Sequence, residues 1–436
     1  MSITGKTVTS IFESIRLQVQ AGQLQPGQVL PPVRDLAVTL GVNRNTVAAV
    51  YKKLAIAGLA TTQGRRGTVI REQLDPGEQE GWMAGTPLVD LASGNPNPAW
   101  LPDINQALAR RPYQHQLYGS DPVHAELASY GQQWLGRDCP GDYALDVTHG
   151  AVDAIERLLA AYLVAGDKVA VEDPCFLSSI NTLRIAGLQA VGVPMDSDGM
   201  RPEALEQALE QGAQAVIVTP RAHNPTGCSL TSARAQALQE VLARYPHVLV
   251  IVDDHFALLA YKRYWQVVPA SSSRWALVRS VSKALGPDLR LALVASDPQT
   301  SQRLRLRLAP GTGWVSHLLQ EVAVACLQVP ALAGRMGLAT QEYCYRRNIL
   351  KQALAAQGVA VAEPVDGLNL WIPLPEPTGQ ADAALLARHG WLVRSGDVFG
   401  VQAPACGLRV TISALHEDQV ERLAADIGKV LRKRHQ

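Results

Sequence analysis

The 436-residue sequence predicts a small, basic, helical module followed by a larger α/β domain with a mostly parallel sheet. Three observations carry that expectation. Beyond Asp90, short apolar runs alternate with amphipathic stretches, the pattern of strands joined by helices. Apolar residues make up 47% of the chain, which is ample for a large core and excludes a disordered protein. Charge is uneven: residues 1–71 hold nine Lys or Arg against two acids, while the whole chain carries only +1. A basic module on an acidic body points to a polyanion partner for the first part alone.

In the basic module Val8, Ile11, Phe12, Ile15 and Val19 recur at helical spacing. Leu24-Gln25-Pro26-Gly27 reads as a turn, and a second helix runs from about Val33 to Leu40, stopped by Gly41. Asn43 is a natural N-cap for a third helix whose Val47, Val50, Tyr51 and Leu54 face inward. Its other face carries Arg44, Ala48 and Lys52 four apart, with Asn45 and Thr46 beside Arg44 in the first turn. That is the layout of a helix-turn-helix, which enters a major groove by the N-terminal residues of its second helix. Ala60 to Ile70 reads as a two-stranded ribbon with Gly64-Arg65-Arg66-Gly67 at its tip, small and cationic enough for a phosphate ridge or minor groove. The competing explanation is a merely solvated cationic face.

The stretch LQPGQVLPPVRDLAVTLGVNRNTVAAVYKKLAIAGLATTQGRRGTVI resembles the GntR-type winged helix-turn-helix almost end to end. The resemblance implies double-stranded operator DNA as partner and puts Arg34, Arg44, Asn45, Thr46 and Gly67 at DNA-contacting positions. Lys52, Arg65 and Arg66 add charge for the phosphate contacts that dominate affinity. This module spans residues 1–71. Residues 72–88 read as a Gly- and acid-rich linker in which Trp82 and Met83 are apolar anchors. The remaining 89–436 form the large domain, with a smaller subdomain from about residue 331.

Strands are expected at Lys168 to Val171, Ala215 to Thr219, Val248 to Val252, Ala276 to Val281 and Leu291 to Ala295. Helices are expected at Glu203 to Gln211 and Ser232 to Arg244. In such a fold, sites gather at the carboxyl ends of the strands. The stretch SVSKALGPDLR, Ser280 to Arg290, leaves one of these strands with Lys283 at its end. A lysine amine forms an imine with a carbonyl cofactor. Ser280, Ser282 and Arg290 around it suit a phosphate dianion. A phosphorylated aldehyde held this way is pyridoxal 5′-phosphate (PLP), an electron sink for amine chemistry.

Further candidates follow the other strands. Asp253 can pair with the pyridine nitrogen, Asn224 in Asn-Pro-Thr-Gly can donate to the ring hydroxyl, and Phe176 can stack on the ring. Gly150 and Ala151 open a helix whose amides suit a phosphate. Each alone has an ordinary structural explanation; their order and spacing together resemble the fold-type I, class I aminotransferases from about Asp90 onward. That resemblance implies Lys283 as the Schiff-base lysine and Tyr118, in LYGSDP, reaching the phosphate of a neighbouring subunit in a homodimer. It makes Arg409, in GLRVTIS, the clamp for a substrate or effector carboxylate. His255 stands where relatives usually carry a ring-holding tyrosine, a change that weakens turnover more than cofactor binding.

A winged helix ahead of an aminotransferase-like domain is similar to the MocR subfamily of GntR regulators. The resemblance implies a PLP-responsive transcriptional regulator tied to vitamin B6 salvage, sensing PLP or an amine at Lys283. The alternative is an active aminotransferase with an appended DNA-binding module, and a weaker third is a DNA-binding protein on a cofactor-free fold. The six scattered cysteines show no metal-ligand spacing, no signal peptide opens the chain, and no apolar run reaches membrane-spanning length. The expectation is a cytoplasmic protein with no metal and no membrane partner.

Overall fold

A computed structural model describes residues 3–57, 59–62, 67–70, 80–81, 86–111, 113–311, 313–363 and 366–432. The chain divides into two compact units, one of residues 1–77 with 164–166 and 184–189, the other of the remainder. Arg65, Arg66, Trp82 and Met83 lie outside the described residues.

The first unit opens with α1 (Val8–Gln20), where Thr7 and Ser10 cap reciprocally and Ile11, Phe12 and Ile15 are buried. Helix α2 (Val33–Leu40) stops at Gly41, whose φ of 64° is the left-handed geometry that a Cβ disfavours. Asn43 then caps α3 (Arg44–Ile56) by accepting from the Asn45 N–H. Val47, Val50, Tyr51 and Leu54 of α3 close on α1 in one apolar core. Strands β1 (Ala60–Thr62) and β2 (Thr68–Ile70) pair antiparallel, Ala60 opposite Ile70. Val29 bridges to Val69, so the ribbon has a third edge that the sequence pattern did not reveal.

The second unit begins with β3 (Val89–Leu91), α4 (Ile104–Arg110) and α5 (Ala125–Leu135). Alternation starts with β4 (Ala144–Thr148), α6 (Ala151–Tyr162), β5 (Lys168–Asp173) and α7 (Leu177–Ile185). It continues through β6 (Gln189–Asp196), β7 (Gly199–Met200), α8 (Pro202–Glu210), β8 (Ala213–Val218) and α9 (Ser232–Leu242). Then come β9 (Leu249–Asp253), β10 (Trp275–Ser280), the single turn α10 (Ser282–Leu285) and β11 (Ala292–Ser296). Helices α11 (Pro298–Leu308), α12 (His317–Gln328) and α13 (Pro330–Ala356) lead to the C-terminal part. That part holds β12 (Asn369–Pro373), α14 (Gly379–Arg388), β13 (Trp391–Ser395), β14 (Gly407–Thr411) and α15 (Val420–Arg432).

Eight strands form the main sheet in the order β4-β11-β10-β9-β8-β5-β6-β7. Strands β10, β9, β8 and β5 are mutually parallel, and β9, β10 and β11 are buried along their whole length, as strands covered on both faces must be. Strand β11 is antiparallel to both neighbours. Its connection from β10 spans residues 281–291 only, shorter than a parallel crossover requires. Strand β3 leaves the start of the unit to pair with β13, so the small sheet β12-β14-β13-β3 draws on residues well before 331. Among the described residues no single helix is long and apolar enough to cross a membrane.

Candidate functional site

The short β10–β11 connection sets the position of Lys283. A reversal this tight has no room for a long helix, so Lys283 sits on the one-turn α10 rather than on the strand itself. Its Nζ donates to the Gly94 carbonyl at 2.6 Å. Burial lowers the lysine pKa, with Glu80 opposing that shift and Arg409 adding to it. A lowered pKa increases the share of neutral amine, the nucleophilic form.

Strand pairing explains why residues from three segments meet beyond Lys283. Ser280 lies opposite Ala292, and Ala292 lies opposite Thr148, so the ends of β10 and β4 stand at one level of the sheet. Just past them Gly150, at φ 91°, begins α6 with Ala151 as its first residue. A Cβ on Gly150 would stand 3.2 Å from Arg290 Nη2, so glycine here lets the guanidinium lie against the helix start. Arg290 itself is left-handed at φ 44°, a strained backbone for a long side chain. The Ser280 hydroxyl accepts from the Ser282 N–H at 3.1 Å. Gly150, Ala151, Ser280, Ser282 and Arg290 therefore gather at one end of the sheet.

Two adjacent carboxylates end β9, and their surroundings differ sharply. Asp254 is fully buried and accepts from Arg221 Nε and Nη2 and from Arg279 Nε, each at 2.8 Å. Burial alone would raise its pKa; the two guanidiniums outweigh it and hold Asp254 below the ordinary value. Asp253 receives none of this. It is 5% exposed, its Oδ1 has no hydrogen-bond partner among the described residues, and burial, Asp254 and Glu172 push its pKa up to about 7. His255 Nδ1 stands 4.0 Å from that oxygen, too far to bond it. Burial and then Lys283 lower the His255 pKa to about 4, so the imidazole is neutral. The Phe176 and His255 rings lie nearly parallel, 10° between planes and 6.5 Å between centroids.

Arg409, on β14, is fully buried over the Phe399 ring. Its partner is Glu80, a residue near the start of the second unit. Nη1 donates to Glu80 Oε1 and to Asn224 Oδ1, while Nη2 donates to Glu80 Oε2 at 2.8 Å and to the Ala92 carbonyl. Asn224 completes the set by donating Nδ2 to Glu80 Oε1 at 3.1 Å. Burial opposes the charge on Glu80, but Arg409, Lys283 and Asn224 outweigh it and hold the carboxyl below its ordinary pKa. No pattern in the sequence marks Glu80, which reads as one acid among several in a polar linker. Asp254, Arg221 and Arg279 were missed as well, although the adjacent Asp pair is visible in the chain.

Tyr118 is 93% exposed and packs edge-on against Trp314, 5.6 Å between centroids. In the first unit Arg34, Arg44, Asn45 and Lys52 are exposed, Thr46 is half-buried and Gly67 has φ 82°. Among the described residues Arg34, Arg44 and Lys52 make no ion pair, whereas Lys53 lies 4.5 Å over the Phe12 ring. Arg34 on α2 and Arg44 and Lys52 on α3 are thus exposed, while Val47 and Val50 of α3 are buried.

These features define a regulator class: a DNA-binding winged helix joined to an aminotransferase scaffold. Residues 7–70 match the bacterial regulatory proteins of the gntR family, and residues 86–427 match aminotransferase class I and II. The chain belongs to the MocR-type GntR regulators, transcription regulators that carry an aminotransferase-like domain. It is 54% identical to the vitamin B6 salvage pathway transcriptional repressor PtsJ of Salmonella typhimurium, over 99% of this chain and 100% of that one. It is 26% identical to the probable rhizopine catabolism regulatory protein MocR of Rhizobium meliloti, over 72% of this chain and 70% of that one. The kynurenine aminotransferase of Pyrococcus horikoshii superposes with a TM-score of 0.73 at 21% identity, covering 81% of this chain and 92% of the enzyme. Enzymes of this fold are PLP-dependent.

Proposed function

We propose that this protein represses or activates genes of vitamin B6 salvage, and that its aminotransferase-like unit binds PLP and reports the bound state to operator DNA. The observation that carries the reading is Asp253. A buried carboxylate with a raised pKa and an unpartnered oxygen fits the protonated nitrogen of a pyridine ring. The rest of the pocket fits the same group. Gly150, Ala151, Ser280, Ser282 and Arg290 would hold its phosphate, Phe176 and His255 would flank its ring, and Asn224 lies within the same polar set. PLP supplies an aldehyde for a lysine amine and a ring that withdraws electrons. Lys283, whose amine burial shifts toward the neutral form, would hold it in place. The similarity to a vitamin B6 salvage repressor supports the pathway. The exposed Tyr118 supports a homodimer in which it reaches a second copy, and paired recognition helices then suit a two-fold operator.

Turnover as an aminotransferase is the weaker reading, because Arg409 is already engaged by Glu80. The test is a reciprocal titration with operator DNA selected by the protein from random sequence. PLP should change operator affinity by the same factor as operator changes PLP affinity, since linkage makes the two equal. In Lys283→Ala, borohydride should no longer fix a phosphopyridoxyl group on the chain. Unchanged affinities in both wild-type titrations would refute the sensor.

A further inference from the structure

We propose that Glu80 is a specificity-determining residue: a tethered carboxylate that fills the Arg409 clamp, so the pocket accepts the cofactor and rejects ligands that bring a carboxylate of their own. The inference rests on the PLP reading above and deepens it.

Arg409 has no terminal N–H bond left for a ligand. Two go to Glu80, one to Asn224 and one to the Ala92 carbonyl. The pair is enclosed, with the Arg409 side chain fully buried and the Glu80 side chain 17% exposed. The backbone is shaped around it. Gly94 has φ 67°, and a Cβ there would stand 2.9 Å from Glu80 Oε2, so glycine lets the carboxylate settle against this strand end. The adjoining Gly81 N–H donates to the Ser93 carbonyl at 3.2 Å, which holds Glu80 and Gly81 beside Ser93.

A ligand carboxylate must therefore displace Glu80 or lie beside it. Lying beside it sets two negative charges against one guanidinium in a buried space. Displacing it means competing with a group on the same chain, whose effective concentration is on the order of millimolar. PLP brings no carboxylate; its phosphate would be held by Gly150, Ala151, Ser280, Ser282 and Arg290 instead, so it would meet neither obstacle. An amino acid or a keto acid meets both.

The test compares two stable probes that differ only by a carboxylate: N-(5′-phosphopyridoxyl)-L-alanine and N-(5′-phosphopyridoxyl)-ethylamine. Their affinities for the full-length protein are measured by calorimetry. In the wild type the carboxylate should add nothing to affinity. In Glu80→Ala the alanine probe should bind tighter than the ethylamine probe by roughly ten- to a hundredfold, the range for hydrogen bonds to charged groups. Glu80→Gln should give the same preference, and serves if Glu80→Ala fails to fold. Adding Arg409→Ala to either variant should erase the preference. A wild-type preference as large as that of the Glu80 variants would overturn the proposal, as would none in either variant. If neither probe binds the wild type, the cofactor reading itself fails.

Discussion

The two units use charge in opposite ways. In the first, Arg34, Arg44 and Lys52 stand exposed and make no ion pair among the described residues, over a mainly apolar core. In the second, Arg221, Arg279 and Arg409 are buried and each is matched to a carboxylate. An exposed cation costs little to keep unpaired and remains available to a phosphate backbone. A buried one must be satisfied from within, because desolvation is not returned by water. Asp253 differs from Asp254 beside it: among the described residues no arginine or lysine pairs with it, and burial raises its pKa.

The contrast is most exposed to test at Asp254. Removing its carboxylate in Asp254→Ala would leave Arg221 and Arg279 short of their shared partner, with an expected loss of roughly 3–5 kcal/mol in stability. Chemical denaturation of the full chain measures it. A loss no larger than that of a surface ion pair would show that buried pairing is not what holds the ends of β9 and β10.

Asp253 should behave in the opposite sense. Its folded-state pKa of about 7 lies above the ordinary 3.8, so between those values the folded protein binds more protons than the unfolded chain. Stability that is fully present below about pH 4 is lost as the pH rises through 7. Asp253→Asn in cofactor-free protein should remove that decline and gain up to a few kcal/mol near pH 8. Thermal melts across this range would show the two curves diverging with pH. Parallel curves would take Asp253 out of its assigned role.

The smallest effect is expected on the exposed side. Arg44→Ala should leave stability and PLP binding unchanged and weaken specific DNA binding by about 1–3 kcal/mol, the value of a bidentate base contact. Fluorescence anisotropy with selected operator and with random DNA separates the outcomes. Equal loss on both would make Arg44 a phosphate contact, and no loss would remove it from the reading surface.

Legible in the sequence were the helix-turn-helix, five strands and two helices of the large domain, Lys283, Asp253 and Asn224 after apolar runs, and Gly150 at a helix start. These are short-range properties: caps, turns and hydrophobic period act over a few residues and are visible in any window that contains them. The resemblance to aminotransferases, rather than any local pattern, singled out Arg409 as a clamp for a substrate or effector carboxylate. Long-range packing alone set β11 against its neighbours, joined β3 to the small sheet, and gave the two arginines to Asp254 rather than Asp253. Above all it set Glu80 on Arg409, partners 329 residues apart in the chain. No local pattern encodes such a pair; it exists because packing brings a residue before β3 against β14, where a buried guanidinium requires a counter-charge.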